Sequence, residues 1–345
     1  GGISGREYKR LLDDPARPLY SRATQGAYPP ASTVKPFVGV AALTEGEITS
    51  GTTIFDPGYW ILPNTTKRYR DWKKSGHGYT NLNKAIIESS DTYFYQVAYK
   101  MGIDRLSEWM KQFGFGMPTG IDIQEETAGI MPTREWKQKK DKKAWLQGDT
   151  IPVGIGQGYW IATPLQLAKA TTILVNNGKV NTPHLMKEMI GNTVEPYQDP
   201  RHYPDITTPK KEYWDIAKRG MYGVIHSSEG TGRKAFADAN YFAAGKSGTA
   251  QVFSLKENQT YNAGQLKKEL HDHAWFIAYA PYENPQVVVA IILENAGGGS
   301  SNAAPVVRQI FDYYLNQRLP QVRNQLGNSQ SAVENLTENQ AKVIR

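Results

Sequence analysis

The chain has 345 residues, no cysteine, 39% hydrophobic and 21% charged residues, and a net charge of +7. That length supports one large domain or two small ones, and the composition is that of an ordinary globular protein. Disulfides, thiolate metal sites and a cysteine nucleophile are excluded. No apolar run approaches the ~18 residues of a spanning helix, and no zinc-finger, RRM or dense Lys/Arg helix points to nucleic acid.

In chain order, residues 1–28 are loop-like, with a short helical piece over 6–12, and Pro29-Pro30 stops any preceding helix. The opening carries no signal peptide, so any membrane anchor is expected outside this sequence. From Ser32 to Leu43 the text reads as a largely buried helix ending near Gly46. Pro36 is tolerated only in a first turn, which fixes the start close to Ser32. Residues 50–80 are irregular and rich in Gly, Pro, Lys and Tyr. Helices are expected over 83–89, 92–100 and 105–113, the last two separated by Met101-Gly102-Ile103-Asp104. Residues 134–148 read as a Lys- and Trp-rich loop. Thr163 as cap and Pro164 at the first position predict a helix over 164–176, and another is expected over 213–226.

The last third changes character. Residues 242–253, 274–280 and 287–294 are apolar strand-like runs, and the turn over 281–285 makes the latter two a hairpin. An amphipathic helix over 306–315 closes a domain set at 1–318, and the polar text of 319–345 predicts a mobile tail. Helices in the middle and strands near the end predict an α+β domain with an antiparallel sheet.

Three short motifs carry chemistry. Ser32-Thr33-Val34-Lys35 puts a hydroxyl and an amine on one helix face, at a helix start whose free N–H groups and positive dipole end favour an alkoxide. Lys35 acts as base only when neutral, which needs burial or a second cation such as Lys246. Alone, Ser32 is more simply a helix cap. In Ser89-Ser90-Asp91, Ser89 could pass a proton between Lys35 and a leaving group, while Asp91 could hold Lys35 or a substrate amide. A helix-end serine cluster is the plainer alternative. Lys246-Ser247-Gly248-Thr249 places charge and glycine inside a strand. Gly248 would let a substrate backbone approach, and Lys246 with the Ser247 and Thr249 hydroxyls would grip a carboxylate. The Thr249 and Ser32 N–H groups would form an oxyanion hole; the competing reading is a bulge glycine beside an exposed lysine. The joint order of the three points to acyl transfer.

On these motifs, with residues 22–26 (RATQG), 29–36 (PPASTVKP), 70–74 (RDWKK), 148–159 (GDTIPVGIGQGY) and 246–252 (KSGTAQV), the chain resembles the transpeptidase domain of class B penicillin-binding proteins over residues 3–316. It is most similar to those of the Gram-negative cell-elongation machinery. The resemblance implies a serine β-lactamase/transpeptidase-like fold whose five-stranded antiparallel sheet is flanked by helices. It implies a peptidoglycan D,D-transpeptidase: Ser32 attacks the penultimate D-Ala carbonyl of a stem peptide, releases D-Ala, and passes the acyl group to a neighbouring amine. β-Lactams would trap Ser32, and no cofactor is needed. The implied partners are peptidoglycan stem peptides, a SEDS-family glycosyltransferase and elongation-complex membrane proteins, on the periplasmic face of the inner membrane. One departure is Asp91 where the wider family carries Asn, an Asp that the elongation subclass shares; it shifts this residue toward holding Lys35. Another is that the family's opening strand hairpin, anchor and pedestal do not precede Gly1.

Asp56, Asp71 and His77 resemble a zinc site of some close relatives, whose fourth ligand, a cysteine, is matched here by Ser90. The set could hold a structural Zn²⁺ with water in the fourth place, or form an Asp–His hydrogen bond that orders the loop. Residues 158–160 and 256–270 are expected to border the cleft, with Tyr159 and Trp160 equally suited to the core. The remaining histidines read as structural or surface residues. Two other functions fit the motifs. A hydrolytic carboxypeptidase or β-lactamase needs a water-activating group, for which residues 127–148 offer Glu135; a β-lactam sensor acylates without cross-linking.

Overall fold

The computed structural model describes residues 2–191, 193–199, 203–252 and 268–326. Its helices are α1 (Gly5–Asp13), α2 (Arg22–Gln25), α3 (Lys35–Thr44), α4 (Leu82–Ile87), α5 (Asp91–Gln112), α6 (Arg134–Asp141), α7 (Gln147–Val153), α8 (Pro164–Val175), α9 (Glu212–His226) and α10 (Ala304–Tyr313). Its strands are β1 (Ile54–Asp56), β2 (Tyr59–Ile61), β3 (Arg68–Arg70), β4 (Gly78–Thr80), β5 (Glu188–Ile190), β6 (Val194–Pro196), β7 (Ala244–Ala250), β8 (His273–Ala280) and β9 (Val287–Leu293).

A helix that is apolar on every side is stable only inside a protein, and every residue of α3 from Lys35 to Leu43 is buried. Around it pack α5 and α9, and α9 also covers α4 and β7. The helix α5 is two helical pieces joined at Gly102, whose φ of 73° and ψ of 159° no helix interior allows. The cap at Thr163 is observed: its hydroxyl accepts from Gln166 N at 3.1 Å while the Gln166 side chain accepts from Thr163 N at 3.0 Å.

The principal sheet runs β7-β8-β9, antiparallel throughout, with Lys246 opposite Ile277 and Ala280 opposite Val287. Its central strand is buried from Ala274 to Ala280, and α8 and α10 pack against β8 and β9. Every residue of β9 is partly exposed, and its outer backbone flank pairs with no described strand.

Three expectations are corrected. The expected five-stranded sheet has three strands among the described residues, because the remaining strands pair with each other as the ribbons β1–β4, β2–β3 and β5–β6. The irregular stretch 50–80 contains two of these ribbons, whose three-residue strands are too short to show alternation. The expected loop 134–148 folds into α6 and the start of α7. Thr133 caps Trp136 N at 3.0 Å, Lys142 ends α6 in the left-handed region at φ 56°, and Asp149 accepts from Leu146 N at 2.7 Å. The helical trace after α10 also passes through Pro320 to residue 326, while 327–345 lie outside the described residues, as do residues 256–267 of the expected cleft border.

Candidate active site

The nucleophile candidate sits on a strained and braced turn. Ala31 has a φ of 53°, unusual for a residue with a side chain, and Ser32 follows in a single 3-10 turn over Ala31–Val34. Trp275 of β8 fixes the approach by donating from Nε1 to Pro29 O at 2.9 Å. On the other side Ala31 N donates to Gly156 O at 2.9 Å. Gly156 has a φ of 70°, and a Cβ there would lie 2.1 Å from Ala31 O, so only glycine fits. Ser32 is partly exposed, and its hydroxyl makes no hydrogen bond among the described residues; Lys35, three residues on, is fully buried.

The second motif meets it from α4 and α5. Ser89 turns the chain with a φ of 59°, Ser90 caps α5, and Asp91 is the first residue of that helix. Lys35 Nζ donates to Asp91 Oδ1 at 2.7 Å, to Ser89 O at 3.0 Å and to Ser89 Oγ at 3.1 Å. These three contacts use all the donors of an ammonium group. Lys246, on β7 and also fully buried, donates to the same Ser89 Oγ at 3.0 Å and to Ser247 O at 3.0 Å. Residues 35, 89, 91 and 246 thus form one network.

The electrostatics of that network are asymmetric. Burial, and then the neighbouring charge of Lys35, push the Lys246 amine well below its ordinary range. Burial pushes the Asp91 carboxyl up, against the pull of Lys35. Lys35 therefore has a carboxylate partner at 2.7 Å, whereas no described acid pairs with Lys246.

Strand β7 is an edge strand whose open side faces the motif-one turn. Gln157 Nε2 donates to Thr249 O at 3.3 Å from that side. In a strand the N–H and C=O of one residue point the same way, so the Thr249 N–H also faces the cleft and not β8. At Gly248 a Cβ would lie 3.0 Å from Thr33 Cγ2, 3.2 Å from Thr33 N and 3.3 Å from Pro30 O, so the strand packs closely there. The backbone that approaches Gly248 is that of the nucleophile's own turn. Ser247 is buried and shares a hydrogen bond of 3.1 Å with Thr231, while Thr249 Oγ1 accepts from Gly299 N at 3.3 Å.

The Asp56, Asp71 and His77 ligand atoms lie within 4.8 Å of one another, and all three residues are buried. His77 Nδ1 is 2.7 Å from Asp56 Oδ2 and 3.5 Å from Asp71 Oδ2, and Ser90 Oγ donates to Asp56 Oδ2 at 2.8 Å. His77 Nε2 is buried with no partner among the described residues. Burial would lower the His77 pKa, but the two carboxylates raise it overall. Hydrogen bonds from His77 and from Thr92 N hold Asp71 well below the usual carboxylate range, despite burial. Two carboxylate oxygens, an imidazole and a hydroxyl converge, a donor set that fits Zn²⁺ less tightly than one with a thiolate.

Other expectations divide. Trp160 is fully buried in the core, and Tyr159 packs on Trp136 and Trp145, so neither is placed as a substrate contact. Glu135 is exposed on α6 with no hydrogen bond to the network. His184 stacks on Tyr197, His226 bonds Ala243, and His273 accepts from Asn295 N, all structural; His202 lies outside the described residues. The sequence reading missed Gln157, Thr231 and Trp72, which joins the second motif through its indole nitrogen. Contacts to backbone carbonyls and single hydroxyls carry no spacing signal.

The family described as penicillin binding protein transpeptidase domain matches residues 4–312. The peptidoglycan D,D-transpeptidase MrdA of Haemophilus influenzae is 77% identical over 321 residues, covering 93% of this chain and 49% of that protein. This chain thus spans about half the length of the curated relatives it matches. Among solved structures, PBP2 of Pseudomonas aeruginosa in complex with WCK 5153 superposes with a TM-score of 0.82 at 45% identity, covering 91% of this chain and 64% of that one. PBP2 of Helicobacter pylori in complex with MreC gives a TM-score of 0.79 at 34% identity, covering 92% and 55%.

Proposed function

We propose, from the premise that the chain belongs to the penicillin-binding protein transpeptidase family, that it is a peptidoglycan D,D-transpeptidase working through an acyl-enzyme on Ser32. One observation carries this reading: two buried lysines from distant parts of the chain, one of them three residues on from Ser32, converge on the single hydroxyl of Ser89 at 3.1 and 3.0 Å. Burying two amines is costly, and groups perturbed in this way concentrate at functional sites.

In this mechanism the stem peptide's D-Ala-D-Ala end lies along the open edge of β7, with its terminal carboxylate toward Lys246, Ser247 and Thr249. Ser32 Oγ attacks the penultimate carbonyl carbon as its proton passes to the Lys35 amine, which has first given one proton through Ser89 to Lys246. The Ser32 and Thr249 N–H groups stabilise the oxyanion. Collapse breaks the C–N bond, and Ser89 delivers the proton to the departing D-Ala nitrogen. The amine of a neighbouring stem peptide then attacks the ester, returns a proton to the network and frees Ser32. Asp91 holds Lys35 between turnovers. Transpeptidases of this family need no cofactor for these steps. Asp56, Asp71 and His77, with Ser90 or water in the fourth place, would hold a zinc ion that braces the second-motif loop.

The deciding experiment labels the protein with a fluorescent penicillin. Ser32→Ala should lose all covalent label while keeping its thermal midpoint; persistent labelling removes Ser32 from its role. Acceleration of deacylation by an acceptor amine separates cross-linking from hydrolysis and from a sensor module. The chain is proposed to work on the periplasmic face of the inner membrane, within an assembly containing an MreC-type scaffold and a SEDS-family glycosyltransferase. The Helicobacter pylori relative solved with MreC supports the scaffold. No helix among the described residues is long and apolar enough to cross a membrane.

A further inference from the structure

Residues 134–143 hold six cations against two acids, and no step above uses any of them. Three of the six are engaged within the protein. Lys137 is buried in a pair with Asp149, Arg134 pairs with Asp104 at 2.9 Å, and Lys140 lies over the Trp136 ring, 4.8 Å from its centroid. Lys139, Lys142 and Lys143 are exposed, and none of them pairs with an acid among the described residues. Lysines near a helix C-terminus offset the negative end of its dipole, and that is the plain reading of Lys139. It does not cover Lys143, which lies beyond the left-handed residue Lys142 that ends α6.

This basic strip is fixed beside the cleft. The Trp136 ring of α6 packs on Tyr159 with centroids 5.3 Å apart, and Trp145 meets the same ring at 6.0 Å. Two residues before Tyr159, the Gln157 side chain reaches Thr249 O on the open edge of β7. A helix that lies in a bilayer surface needs an apolar face, and α6 buries only Lys137 and has none, so a membrane is the poorer match. Unpaired cations flanking a cleft suit a long anionic substrate, which they attract and orient before its reacting end is seated. We infer that Lys139, Lys142 and Lys143 form a docking strip for the peptidoglycan polymer, holding free carboxylates of stem peptides other than the one being attached to Ser32. This rests on the transpeptidase reading above, which makes the substrate a polymer bearing many such groups.

The test variant combines Lys139→Gln, Lys142→Asn and Lys143→Gln. It removes three charges and no described side-chain contact, and asparagine tolerates the left-handed position. Co-sedimentation with isolated peptidoglycan measures binding at low and high salt. Wild-type binding should weaken several-fold as salt rises, whereas the variant binds about tenfold more weakly at low salt and loses most of the salt dependence. Its thermal midpoint and its rate of labelling by a fluorescent penicillin, a probe too small to reach the strip, should match the wild type. Three results overturn the strip: the variant binds peptidoglycan as the wild type does, the wild type does not bind it, or amidating the peptidoglycan carboxylates with methylamine leaves binding unchanged. Phosphatidylglycerol vesicles bound by the wild type in preference to peptidoglycan, and lost by the variant, would assign the lysines to a bilayer instead and also overturn it. Failure of the transpeptidase reading shows separately, as penicillin labelling that persists in Ser32→Ala.

Discussion

At the scale of single residues, Asp91 shows why the network is built from charges. Its carboxylate faces two donors at once, Lys35 Nζ at 2.7 Å on one oxygen and Trp72 N at 3.1 Å on the other. Asparagine has one acceptor oxygen, so Asp91→Asn must turn an NH₂ against one of those donors. The variant should lose about 1–3 kcal/mol of stability in denaturant titration, with slower acylation. An unchanged midpoint would show that the second contact is dispensable. Lys246 gives the opposite case. Its folded pKa lies below the unfolded value of about 10.4, so between the two the unfolded chain binds a proton that the folded chain does not. Its contribution to stability therefore climbs as pH rises through that window. Lys246→Met should remove this slope, leave stability at pH 7 equal or higher, and slow acylation by about 10² or more. Ser32, Lys35, Ser89, Asp91 and Lys246 were legible because motif spacing encodes them. Trp72 was not, since its contact depends on one N–H meeting one carbonyl, and no spacing says that the turn before α3 packs over Gly248.

At the scale of elements, the turn before α3 depends on the segment after α7. Gly156→Ala would drive a Cβ into the backbone of Ala31, at 2.1 to 2.7 Å, from a φ that disfavours side chains. It should cost about 2 kcal/mol or more and slow acylation together, since relief requires moving the residue next to Ser32. A stable but slow variant would also show the coupling, whereas a stable and fully active one would refute it. The helices α3 and α8 were readable from an apolar run and from cap chemistry respectively. The helix α6 was not, because its eight residues carry no apolar stripe and only Lys137 is buried. Its ends are made instead by one threonine cap and one left-handed lysine.

At the scale of the molecule, the helical layers and antiparallel order followed from the sequence, but the width of the sheet did not. Strand partners lie far apart in the chain, and nothing in β9 says what lies beyond it. The strand reads VVVAIIL, without charge or proline, and its outer row of amides and carbonyls pairs with no strand among the described residues. This chain alone should associate as its concentration rises, with sedimentation velocity showing growth and circular dichroism a gain in extended structure; a monomer up to millimolar concentration would contradict that. A seam left open in this way is a place for another chain to lie down, sister copy or partner alike. Purity and dilution, more than heat, will set how long a sample stays monodisperse.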